Sequence, residues 1–141
     1  MTLHPHITFV TVTDNQAKLT KLLQCVQQCF IKGHSVLIAV PSVQVAQYID
    51  QLLWRMPKES FLPHVISDSG KVVDEKVVIS MMAQNINKAN VLVNLNPEIS
   101  PIFGEFEFVW ELLDKSDSVK EGLSRQRQVA YQEAGCKIKV T

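Results

Sequence analysis

The run "SVLIAV", residues 35–40, constrains this chain more than any other stretch. A strand with one wet face alternates apolar and polar side chains. A strand with almost no polar position must be covered on both faces, as in parallel sheets flanked by other layers. "VLVNL" (91–95) carries the same signal, and "KVVIS" (76–80) reads as a further strand.

The segments on either side of the first run have helical spacing. "ITFVTVT" (7–13) is β-branched and apolar and predicts a first strand. Asp14 or Asn15 can cap a helix starting there, and Leu19, Leu22, Leu23, Val26, Cys29 and Phe30 recur at helical intervals. Gly33 suits the helix end. Beyond the apolar run, Ser42 is a candidate N-cap, and Val45, Ala46, Ile49, Leu52 and Leu53 form a second helical stripe. Strand, helix, strand, helix with long crossovers is the opening of a layered α/β domain. The second half predicts a short strand at "HVIS" (64–67) and a loop at "SDSGK" (67–71). "FEFVWELL" (106–113) alternates, which predicts a strand with Phe106, Phe108, Trp110 and Leu112 on one side. A polar helix over 116–134 and a short "KIKV" tail complete the chain. The expectation is a single three-layer α/β/α domain over residues 1–141 with a mainly parallel, Rossmann-like sheet.

A length of 141 residues favours one domain. No run approaches the ~18 apolar residues of a membrane span, and "MTLHPHITFV" does not read as a leader segment. The expected location is cytoplasmic, with no membrane contact. Fourteen basic residues balance fourteen acidic ones, which argues against a nucleic-acid binder working through bulk charge. Basic side chains do gather after Lys115, at Lys120, Arg125, Arg127, Lys137 and Lys139.

A doubly wound fold invites a search for a nucleotide site. Neither phosphate-binding glycine motif occurs, and the turn after the first strand, "TDNQAK", has no glycine. No nucleophile elbow or catalytic-cysteine signature is present. His4, His6, His34 and His64 are scattered, and Cys25 and Cys29 lack the second pair that zinc wants. No catalytic site, cofactor or metal is expected; an enzymatic or nucleotide-binding role would rest on fold analogy alone. What remains is an interaction surface. In "LWRMPKESFLPH" (53–64), Trp54 and Phe61 flank Arg55 and Lys58, a grouping common at binding hot spots. The competing reading is that both aromatics simply pack.

That same segment resembles the Leu-Trp-x-x-Pro-x-x-Ser-Phe-x-Pro-His stretch of the chi subunit family of bacterial DNA polymerase III. The matching residues are Leu53, Trp54, Pro57, Glu59, Ser60, Phe61, Pro63 and His64. "GHSVLIAVPSVQVAQYIDQLLW" and "TFVTVTDN" are similar to the family's early strands and helix, and "DSVK" (117–120) and "AYQEAG" (130–135) to its closing helix. The resemblance implies a non-catalytic subunit that pairs with the psi subunit, which tethers it to the clamp loader. It also implies a face that receives the acidic C-terminal tail of single-stranded DNA-binding protein, so contact with nucleic acid is indirect. Trp54 and Phe61 match the family's aromatics and would pack the tail's terminal side chain. A cation on the closing helix would meet its carboxylate. Anchored on Ala130, Tyr131 and Gly135, the family's arginine falls on Arg125 and its tyrosine on Gln128, a departure; anchored on Lys120, the arginine is Arg127. The expected tail-binding set is Trp54, Phe61, Arg125, Lys120 and Gln128.

Overall fold

The apolar runs become central strands. In a computed structural model that describes residues 4–55 and 63–141, "SVLIAV" supplies β2 (Val36–Ala39) and "VLVNL" supplies β5 (Val91–Asn94). Every residue of both is buried. The other strands are β1 (His6–Val12), β3 (Val65–Ile66), β4 (Val77–Ser80), β6 (Phe108–Asp114) and β7 (Ile138–Val140). They form one seven-stranded sheet in the order β3-β4-β2-β5-β6-β1-β7, and every pairing is parallel. Val36 stands opposite Val77 on one side and Val91 on the other, so β-branched side chains stack across the middle of the sheet. The "KIKV" tail is not loose, since β7 closes the edge beside β1.

Helix α1 (Asn15–Ile31) starts where the sequence places it. The Asp14 side chain accepts a hydrogen bond from the Ala17 backbone N–H, satisfying one of the donors orphaned at a helix start. Ser42 does the same for α2 (Val43–Trp54), and Asp117 for α3 (Ser118–Glu133). The period-two alternation along the strands then sorts the core into two halves. Val36, Ile38, Val91 and Val93 pack with Leu22 and Val26 of α1 and Ala46, Ile49 and Leu53 of α2. Leu37, Ala39 and Leu92 point the other way, into a core shared with Ile7, Phe9, Val109 and Tyr131 of α3. Helices α1 and α2 therefore cover one face and α3 part of the other.

Beside α3, irregular connections complete the second outer layer: Ile86, Ala89, Ile99, Ile102, Phe103 and Phe106 pack on that face. Asparagines satisfy backbone groups there that no ladder reaches. Asn87 donates to the Val36 and Glu75 carbonyls, and Asn85 bonds both backbone groups of Ala89. No helix among the described residues is long and apolar enough to cross a membrane.

One expectation needs correction. The apolar alternation at 106–113 put Phe106, Phe108, Trp110 and Leu112 on one side of a single strand. The strand begins at Phe108, and both of its faces are covered. Phe108 and Trp110 are half-buried toward the α1–α2 core, whereas Val109, Glu111 and Leu113 are fully buried. Phe106 precedes the strand and lies in the α3-side core. Alternation in hydropathy shows which residues share a face, and here the face with the glutamate is the better-buried one.

Candidate binding cleft

Glu111, at 0% exposure, explains the architecture of the sheet's C-terminal edge. A buried carboxylate is tolerated only with several donors around it. Arg127 Nε donates to Oε1 at 3.0 Å, while Tyr131 Oη and Asn94 Nδ2 donate to Oε2 at 2.6 and 2.8 Å. Arg127 and Tyr131 are one turn apart on α3 and so reach the same spot. The rest of the guanidinium donates to the carbonyls of Pro97 and Leu112 and to Ser124 Oγ. Burial pushes the Glu111 carboxyl up from its ordinary value, opposed by Arg127, Tyr131 and Asn94. Burial, reinforced by the Glu111 charge, pushes the Tyr131 phenol far above its ordinary value. This network ties α3 to β6 and to the turn after β5.

A second tie fixes α1. Lys18 Nζ lies 2.6 Å from Asp114 Oδ2. Burial pushes the Asp114 carboxyl up, but hydrogen bonds from Lys18 and Ser116 outweigh that and hold it below the usual aspartate range. Between the two ties the N-terminal halves of all three helices converge over the ends of β5 and β6, leaving a cleft of about 400 Å³. Clefts outside the carboxyl ends of parallel strands are where this architecture places ligands, and the volume falls within the ~300–1,000 Å³ of ligand pockets. Its walls are Leu19, Leu22, Val45, Tyr48, Ile49, Leu95, Pro97, Leu112 and Leu123. Its polar rim is Lys18, Asp114, Lys120 and Arg127. Lys18 and Arg127 are engaged with carboxylates. Lys120 is half-exposed, and its ion pair with Asp117 is a loose one at 4.0 Å.

Of Trp54, Lys120, Arg125 and Gln128, Lys120 lines this cleft and the other three do not. At 3.6 residues per turn, Lys120, Leu123 and Arg127 follow one flank of α3, and Glu121, Arg125, Gln128 and Gln132 the other. Arg125 is exposed and pairs with Glu121 at 3.2 Å; Gln128 is buried. Arg127, the alternative arginine, is consumed by Glu111 and backbone carbonyls. Trp54 is the last residue of α2, roughly 13 Å of helix rise from Val45. Its indole is 55% exposed and packs on His64, ring centroids 4.6 Å apart. His64 in turn sits 3.1 Å from an Asp50 carboxylate oxygen. Val45, Tyr48 and Ile49, toward the start of α2, wall the cleft with the α3 residues, whereas Trp54 at the end of that helix does not line it. Phe61 lies outside the described residues, as do Pro57, Lys58, Glu59 and Ser60.

Sequence reasoning missed Lys18 and Tyr48, which line the cleft, and Glu111 and Tyr131, the buried pair whose carboxylate holds Arg127 beside it. One clue was present: a glutamate inside an otherwise apolar strand needs a cation, and an arginine one turn before a tyrosine on the next helix can supply it. Among the described residues no group of three or more His, Cys, Asp or Glu is placed to hold a metal ion.

Comparison with known proteins adds an independent line. The family described as DNA polymerase III chi subunit, HolC, matches residues 5–139. The chain is 31% identical over 104 residues to DNA polymerase III subunit chi of Escherichia coli (strain K12), covering 73% of this chain and 70% of that protein. It is 27% identical over 128 residues to the subunit chi of Haemophilus influenzae, covering 88% and 89%.

Proposed function

The chain belongs to the DNA polymerase III chi subunit family, and from that premise we propose that it is a non-catalytic accessory subunit in DNA replication. In this reading it links the clamp loader, through psi, to single-stranded DNA-binding protein by holding that protein's acidic C-terminal tail. The observation that carries the tail assignment is the cleft, where apolar walls meet a half-exposed Lys120 at the rim. An acidic peptide ending in an apolar side chain and a free carboxylate needs that combination: a dry slot for the side chain and a cation beside it. Tyr48 offers an aromatic face to the terminal side chain. Arg125, exposed on the neighbouring flank, adds to the field that draws in the tail's acidic residues.

Trp54 stands at the far end of α2, roughly 13 Å of helix rise from Val45, and does not line the cleft.

Anisotropy of a labelled peptide copying the tail of the organism's own single-stranded DNA-binding protein tests the reading. We expect saturable binding near ~10 μM, about −7 kcal/mol. Lys120→Glu and Leu123→Asp should each weaken it by ~10-fold or more, about 1.4 kcal/mol, and Trp54→Ala should leave it unchanged. Absence of binding at ~100 μM peptide would sink the tail assignment.

A further inference from the structure

A sheet built only of parallel strands is buried on both faces, and on one face of this sheet the cover thins toward an edge. Every position of β2, β4 and β5 is buried. On β1, Ile7 and Phe9 are buried in the α3-side core. The alternate residues, on the face where α1 packs, are not: His6 is exposed, and Thr8 and Val10 are half-buried. Register sets Thr8 between Trp110 of β6 and Lys139 of β7, and His6 beside Phe108. A cavity of about 230 Å³ opens there. Its walls include Thr8, Phe108 and Trp110 of the sheet and Cys25 and Gln28 on one flank of α1, with Lys32 at that helix's end. We infer that the groove between α1 and β7 seats one helix of a partner protein, with an apolar stripe toward the sheet and carboxylates on both flanks.

Dimensions favour a helix. From β6 to β7 is two strand spacings, about 10 Å, the diameter of a helix with its side chains. The seven residues of β1 run about 20 Å, the length of a helix of roughly 13 residues. Charge fixes the partner's flanks. Lys32 lines the cavity, and Lys21 stands one turn before Cys25 on the same flank of α1. Lys139 stands on the other side of the groove. All three lysines are exposed, and none has an ion pair among the described residues. No described residue lining the cavity carries a carboxylate. A second copy of this chain does not fit, because a two-fold contact through the groove sets the same lysines against one another. Single-stranded nucleic acid stacks its bases on open aromatic faces. Phe108 is already occupied, with the His6 ring stacked on it at 5.4 Å and His34 tilted against it at 5.5 Å.

The inference rests on the reading that the chain works inside the polymerase III assembly, and the test compares that purified assembly with the chain alone. Brief lysine acetylation, read by mass spectrometry, reports exposure. A zero-length carbodiimide joins lysines to carboxylates in direct contact. Lys21, Lys32 and Lys139 should lose their reactivity together in the assembly. The carbodiimide should link at least one of them to Asp or Glu on a single amphipathic helix of another subunit. Lys21→Glu combined with Lys139→Glu, both at exposed positions, should abolish those links and weaken retention of that subunit. Lys71→Glu, in the exposed loop between β3 and β4, should do neither. Unchanged reactivity of the three lysines in the assembly overturns the inference and leaves the subunit assignment standing. So do links to a second copy of the chain, or protection that nuclease treatment removes. A chain that does not enter the assembly at all refutes both.

Discussion

Replacing Arg127 by leucine should cost more stability than its place on a polar helix suggests. The guanidinium makes four hydrogen bonds, to Glu111, Pro97, Leu112 and Ser124. Its removal leaves a fully buried carboxylate with Tyr131 and Asn94 as its remaining donors. Breaking a buried pair in this way costs about 3–5 kcal/mol, a large share of the ~5–15 kcal/mol of a typical domain. The folded variant can relieve the charge by protonating Glu111, whose carboxyl burial already pushes upward. A carboxyl raised in the folded state binds more protons there than in the unfolded chain, so stability falls as pH rises above the ordinary glutamate range. The slope is at most about 1.4 kcal/mol per pH unit. Urea denaturation of Arg127→Leu should therefore show a deficit that widens as pH rises above the ordinary glutamate range. Glu111→Leu combined with Arg127→Leu removes both charges and should recover ~2 kcal/mol or more of the single variant's loss. A cost below ~1 kcal/mol, or a double variant that is simply additive, would refute the strut assigned to this pair.

Other perturbations obey the same logic. Asp114 is held below the ordinary aspartate range, so its contribution is present above about pH 4 and lost as pH falls through its folded value. Asp114→Asn should accordingly be less stable than the parent at pH 7 in chemical denaturation, with the two converging in acid. Gly135 has φ +88°, and an added Cβ would meet His4 Cε1 at 3.2 Å; Gly135→Ala should lose about 1–2 kcal/mol in thermal unfolding. Asp117→Ala removes the cap on α3 and should lower stability by ~1 kcal/mol in urea denaturation.

The parallel sheet was legible because its central strands leave almost no polar position, and a chain cannot wet such strands. The caps were legible too, since Asp14 and Ser42 stand directly before helical stripes. The cleft was not. It depends on Glu111 meeting Arg127, sixteen positions away, and hydropathy alternation said only that this glutamate lies on the side away from Phe108 and Trp110. Long-range ion pairs leave no local period in the sequence. The resemblance at "LWRMPKESFLPH" pointed to the family and to Trp54, Arg125 and Gln128, none of which lines this cleft. Spacing along the chain records neighbours on one element; it does not record which face of a sheet a later helix will cover.

Seating of the acidic tail in the cleft between the three helix starts is the central claim. A ¹⁵N–¹H titration of the chain with the cognate tail peptide tests it most directly. Saturating shifts are expected at Lys18, Tyr48, Leu95, Lys120 and Leu123, diminished by Lys120→Glu. Shifts gathered around Trp54 and His64, with the cleft residues unmoved, would contradict it.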